Sequence, residues 1–122
     1  MLEYAQLQFI TEEEKYEKTG NFTSRYAMSY NDMGMAYTMT GFYDKALPYL
    51  RASIKIRQGL PGFTRDWLFS PLYHMGLYYV YQDDNERAAD YLERAIDDRI
   101  AVFGLDEKQL FRCVMVGSGC DA

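Results

Sequence analysis

Basic residues, cysteine, histidine and proline are all scarce in this sequence, and each scarcity removes a class of function. Thirteen lysines and arginines stand against eighteen aspartates and glutamates, giving a net charge of −5 and a pI near 4.8. A nucleic-acid binder carries a basic stripe, and anionic membrane surfaces attract basic proteins, so neither partner is expected. Two cysteines, Cys113 and Cys120, are too few for a disulfide framework, and a zinc site needs further ligands. Reduced thiols in a cytoplasmic setting are the expectation, with no metal and no cofactor. No segment approaches the roughly 18 apolar residues of a membrane-crossing helix. The opening MLEYAQLQFITEEEK lacks the basic lead of a secretory signal. The triplet Asn21-Phe22-Thr23 fits a glycosylation sequon, but without an export signal it reads as inert. His74, the only histidine, has just Ser70 one helical turn away among residues able to assist catalysis, and nothing supplies an oxyanion site. No catalytic residue is expected.

What the chain has instead is aromatic residues, twelve of them tyrosine, and a repetition. The segment MGMAYTMTGFYDKALPYLRASI, residues 33–54, is echoed 42 residues later by MGLYYVYQDDNERAADYLERAI. Met33, Gly34, Tyr37, Ala46, Tyr49, Leu50, Ile54 and Arg57 recur as Met75, Gly76, Tyr79, Ala88, Tyr91, Leu92, Ile96 and Arg99. Gly20, Gly62 and Gly104 share that spacing and read as helix-ending joints. Self-similarity at this period marks stacked helix pairs, an all-α solenoid. It divides the single domain into a half-repeat (1–20), two repeats (21–62 and 63–104) and a partial repeat (105–122).

Apolar residues at three- and four-residue spacing predict helices over 2–18, Ser24–Met39 and Tyr43–Gln58. A further helix from about Asp66, bent near Pro71, ends at Gln82, and another runs to about Phe103. Asp90, Arg94 and Asp98 are spaced for ion pairs along that last helix. Gly34 and Gly76 fall mid-helix, where glycine is about 1 kcal/mol worse than alanine. Close approach of a paired helix explains that cost, with Ala46 and Ala88 as the facing small residues. At the ends, Leu2, Ala5, Phe9 and Leu110, Phe111, Val114 would be left uncovered. This suggests a longer array, or end-to-end stacking of the chain on itself.

The series Met33-Gly34-Tyr37-Ala46-Leu50-Ser53 and Met75-Gly76-Tyr79-Ala88-Leu92-Ala95 resembles the tetratricopeptide repeat. The 42-residue unit is similar to the long repeats of kinesin-light-chain-like proteins. The resemblance implies a right-handed α-α superhelix of antiparallel helix pairs and recognition of a protein or peptide along the first helices. Groove-facing positions would then be Asn31, Met35, Thr38, Met39, Tyr73, Leu77, Val80 and Tyr81. These are neutral, with methionine and tyrosine supplying adaptable contact area. A lysine/arginine/asparagine clamp for a terminal carboxylate is not expected, since only Asn31 is of that kind. The rival readings are a ligand- or peptide-sensing segment of a larger multidomain protein, an architectural spacer, and an enzyme using His74 or Cys113.

Overall fold

The structure, a computed structural model, describes residues 2–103, with side chains as far as Ala101. Among the described residues there are five α-helices and no strand: α1 (Leu2–Thr19), α2 (Ser24–Met39), α3 (Tyr43–Gln58), α4 (Phe69–Tyr81) and α5 (Asn85–Phe103). None of these helices is long and apolar enough to cross a membrane. Each packs against the next in the chain, and α2 also lies beside α4. The first helices α2 and α4 therefore neighbour one another, each backed by its own second helix, α3 or α5.

Local chemistry fixes the ends. Thr23 is extended, and its hydroxyl accepts from the Tyr26 amide at 3.1 Å, capping α2. The Asp84 carboxylate accepts from the Arg87 amide at 3.3 Å at the start of α5. The turns inside the two repeats are alike. The Phe42 amide donates to Tyr37 at 2.8 Å and the Asp84 amide to Tyr79 at 2.9 Å. Both turns need a left-handed residue: Gly41 supplies it at φ 87°, whereas the second repeat uses Asp83 at φ 59°. The joints between units, Gly20 and Gly62, are left-handed as well. Gly104 lies outside the described residues.

Helix α4 departs from expectation. The segment Arg65–Leu68 forms a 3-10 turn, and α4 begins only at Phe69. The break falls before Pro71, not at it. Pro71 is the third residue of α4, where its missing N–H would have had no partner in the helix. Thr64 leads into the 3-10 turn, with its hydroxyl bonded to the Asp66 carboxylate.

Packing within a repeat rests on the mid-helix glycines, though their contact is not the one expected from sequence. A methyl group at Gly34 would lie 2.5 and 2.6 Å from Cγ and Cδ2 of Leu50, and one at Gly76 would lie 2.7 and 2.8 Å from Cδ2 and Cγ of Leu92. The alanines contribute backbone instead: the Ala46 and Ala88 carbonyl oxygens would stand at 3.2 and 3.5 Å. Leucine thus fills the space above each glycine, and the fully buried Ala46 lets the backbones close up. Beside this contact the repeat tyrosines stack, Tyr37 on Tyr49 at 5.7 Å and Tyr79 on Tyr91 at 5.5 Å. Offset rings at such separations add about 0.5–1.5 kcal/mol beyond their buried area.

Between units the contacts run from second helix to following first helix. Ala5 of α1 is buried with Met33 and Ala36, contrary to expectation, and Leu2 and Phe9 are partly buried against that cluster. Ala46, Leu50 and Ile54 of α3 meet Met75, Tyr78 and Tyr79 of α4. Leu110, Phe111 and Val114 lie outside the described residues. Within the second unit, Asp98 of α5 pairs with Arg65 of the 3-10 turn at 3.7 Å, not with Arg94 along its own helix.

Candidate binding surface on the first helices

The eight positions singled out above divide in two. Met39, Tyr73, Val80 and Tyr81 are exposed, and Met35 and Leu77 are half-buried. Asn31 and Thr38 are fully buried and so present nothing to a ligand. The Thr38 hydroxyl donates back to the Gly34 carbonyl at 2.8 Å. Both residues lie in the packing of α2 against its neighbours because a first helix has a further first helix beside it. Their spacing of seven places them on one stripe, and that stripe is covered.

Sequence reasoning missed Met28. It is 41% exposed and lies two turns before Met35, extending the stripe of Met35 and Met39 along α2. On α4 the matching stripe is Tyr73, Leu77, Val80 and Tyr81, and Phe69 stacks on Tyr73 at 6.2 Å with the rings 8° apart. The Arg99 guanidinium lies over the other aromatic neighbour, Phe69, at 4.7 Å. Two adjacent helices therefore offer methionine, tyrosine and aliphatic side chains on one side.

Beneath this surface a polar link joins α2 to α4. The amide oxygen of Asn31 is 2.8 Å from His74 Nδ1, and its nitrogen donates to the Ser70 hydroxyl at 3.1 Å. An amide oxygen only accepts, so the imidazole proton sits on Nδ1. Burial lowers the His74 pKa, which keeps the ring neutral. Asn31 stands between Ser70 and His74, so the hydroxyl is not held by the imidazole as a nucleophile needs. The link orders two helices and supplies no catalytic pair. Cys113 and Cys120 lie outside the described residues.

Arg57, from the end of α3, completes the cluster. It donates to the Trp67 carbonyl at 3.3 Å and to the Met28 sulfur at 3.9 Å. Desolvation lowers its pKa and the nearby Asp32 raises it; desolvation also raises the Asp32 carboxyl, with Arg57 opposing. A cleft of about 130 Å³ opens between α1 and α2, lined by Gln8, Glu12, Arg25, Met28, Ser29 and Asp32. It is smaller than the roughly 300–1,000 Å³ of pockets that enclose small molecules. Among the described residues no group of three or more histidines, cysteines, aspartates or glutamates is placed to hold a metal ion.

Searches of curated proteins and of solved structures returned no match. The family profile described as tetratricopeptide repeat matches residues 25–100. That span takes in α2 to α4 and nearly all of α5, with the glycine–leucine contacts and paired tyrosines of both units. On that match and this architecture, the chain belongs to the tetratricopeptide repeat family.

Proposed function

We propose that this chain captures a partner protein through the exposed side of α2 and α4, with Met35, Met39, Tyr73, Leu77, Val80 and Tyr81 as the contact residues and Met28 extending them. Tetratricopeptide repeats mediate protein–protein interactions as a family. The observation that carries the site is where exposed apolar surface collects. Of the ten exposed large hydrophobic side chains among the described residues, five (Met28, Met39, Tyr73, Val80 and Tyr81) lie on these two helices. Exposed apolar groups gathered on adjacent elements mark interaction surfaces, whereas scattered ones need no explanation.

The ligand is a peptide segment with apolar anchors. Methionine adapts to varied side chains, and tyrosine gives contact area at little entropic cost. A carboxylate clamp plays no part, because Asn31 is already engaged by His74 and Ser70.

Affinity capture from a peptide array, run with the chain and with a Met35→Ala/Tyr73→Ala/Tyr81→Ala variant, tests the assignment. Bound peptides should carry Leu, Ile, Met or aromatic residues at helical or alternating spacing. The triple variant should lose them while keeping its circular dichroism melt. Equal capture by both proteins would move the binding site elsewhere.

A further inference from the structure

We propose that the strip formed by Tyr73 of α4 and Leu92 of α5 is the seat of this chain's own following segment, residues 105–116, docked as the first helix of a third unit. The two repeats disagree at residues that the 42-residue register makes equivalent. Asn31 is 0% exposed and its equivalent Tyr73 is 43% exposed; Leu50 is fully buried and its equivalent Leu92 only half-buried. Elsewhere on the same helices the units agree: Met39 and Tyr81 are 44% and 45% exposed, and Met35 and Leu77 are both half-buried. The disagreement falls where a following first helix lies. In the first repeat Ser70 and His74 of α4 bond to Asn31, and Met75 and Tyr78 share a buried cluster with Leu50. Among the described residues no helix does the same for Tyr73 and Leu92.

The sequence after Gly104 suits that gap. Leu110, Phe111 and Val114 stand 42 residues after Leu68, Phe69 and Leu72. Leu68 and Leu72 are buried with Ile54 of α3 packed against them, and Ile96 is the counterpart of Ile54 on α5. Chemistry changes on both sides of the contact together. In register, Asn31 becomes Tyr73, while Ser70 and His74 become Arg112 and Val116. An amide held by a hydroxyl and an imidazole gives way to a ring matched with a guanidinium and an aliphatic group, partners that a tyrosine ring favours. Gly117-Ser118-Gly119 take the place of Met75-Gly76-Leu77, so the apolar pattern ends at Val116.

Covalent linkage selects the occupant. The segment follows Gly104, which shares the register of Gly62, the left-handed joint where the chain passes from α3 toward α4. A tethered segment meets its seat at an effective concentration on the order of millimolar, which a second copy in dilute solution does not match. For the proposed function, and resting on it, Tyr73 is then the contact that a partner takes over from the chain itself, while Met35, Met39 and Tyr81 stay open.

Thiol labelling of the full chain tests this in a Cys113→Ser/Cys120→Ser background. The thiol introduced by Tyr73→Cys should react with a maleimide roughly tenfold or more slowly than that introduced by Tyr81→Cys, because a covered thiol reacts only when its cover opens. Adding Leu110→Asp/Val114→Asp, or independently Val116→Asp, should raise the first rate toward the second with the helicity of α1 to α5 retained. Mild oxidation of a Tyr73→Cys/Arg112→Cys pair should close a disulfide within one chain. Equal labelling rates without the added substitutions, or protection that survives both sets of them, would overturn the proposal. Protection that fades on dilution, or disulfides formed only between chains, would overturn it too, by assigning the seat to a second copy. None of these readouts involves a partner, so the peptide-capture test can fail while this one succeeds, and the reverse.

Discussion

Replacing Gly34 by alanine should destabilise the fold, although the same change in an open helix would stabilise it. Alanine gains about 1 kcal/mol over glycine in a helix interior. At Gly34 the new methyl would meet Leu50 Cγ at 2.5 Å, where ordinary carbon contacts lie at about 3.5–4.0 Å. Leu50 is fully buried, and its neighbours Ala46 and Met75 are buried with it, so α2 and α3 must part by about 1 Å. Overpacking of this kind costs about 1–3 kcal/mol. Set against the gain of about 1 kcal/mol, the net loss is about 0–2 kcal/mol, or a drop of roughly 5 °C in Tm for each kcal/mol in a domain of this size. The decisive assay is a double-mutant cycle followed by circular dichroism in urea. In a Leu50→Ala background, itself about 2–5 kcal/mol less stable, Gly34→Ala should become neutral or stabilising. Gly59→Ala serves as control, since its methyl would meet nothing closer than 3.6 Å. A Gly34→Ala protein more stable than the parent, or an effect of the same sign in both backgrounds, would refute the reasoning.

Other expectations concern caps, turns and charge. Asp83→Gly should raise stability by about 1 kcal/mol, because Asp83 holds a left-handed conformation that favours glycine; a thermal melt unchanged or lowered would contradict this. Thr23→Ala should cost about 1 kcal/mol by freeing the Tyr26 amide, measured as a lower urea midpoint at constant slope. The His74 pKa is lowered in the folded chain, so its contribution to stability is complete above the unfolded value of about 6.5 and is lost as pH falls toward the folded value, at up to about 1.4 kcal/mol per pH unit. A His74→Gln variant, compared with the parent between pH 7.5 and 5, should have a flatter stability profile; parallel profiles would remove His74 as the source.

The extents of α2 and α3 were legible from the sequence, because apolar spacing marks both runs and Gly41, left-handed in the structure, falls between them. Helix α4 was harder to read: Trp67 and Leu68 have apolar helical spacing, yet they belong to a 3-10 turn, a distinction of one hydrogen-bond register. The glycine pattern announced close packing but not its partner. Leucine above glycine and alanine above glycine leave the same sequence trace, and only side-chain direction separates them. Asn31 and Thr38 were misplaced for a related reason: a helix with neighbours on several sides has more than one inward stripe. The burial of Ala5, and the partial cover over Leu2 and Phe9, follow from the stacking of α1 on α2, a contact between units that a repeat pattern implies without specifying its residues.

The hydrogen bonds that Asn31 makes with Ser70 and His74 bear on how the proposed α2/α4 surface would hold a guest. Greasy faces alone let neighbouring rods slip past each other by fractions of an ångström at little energetic penalty, whereas directional bonds of 2.8 and 3.1 Å do not. Pinning the rods in this way holds the methionines of one at a set distance from the tyrosines of the other before any guest arrives. On the proposed function, a guest would meet a ready-made ruler and have less ordering to do on arrival.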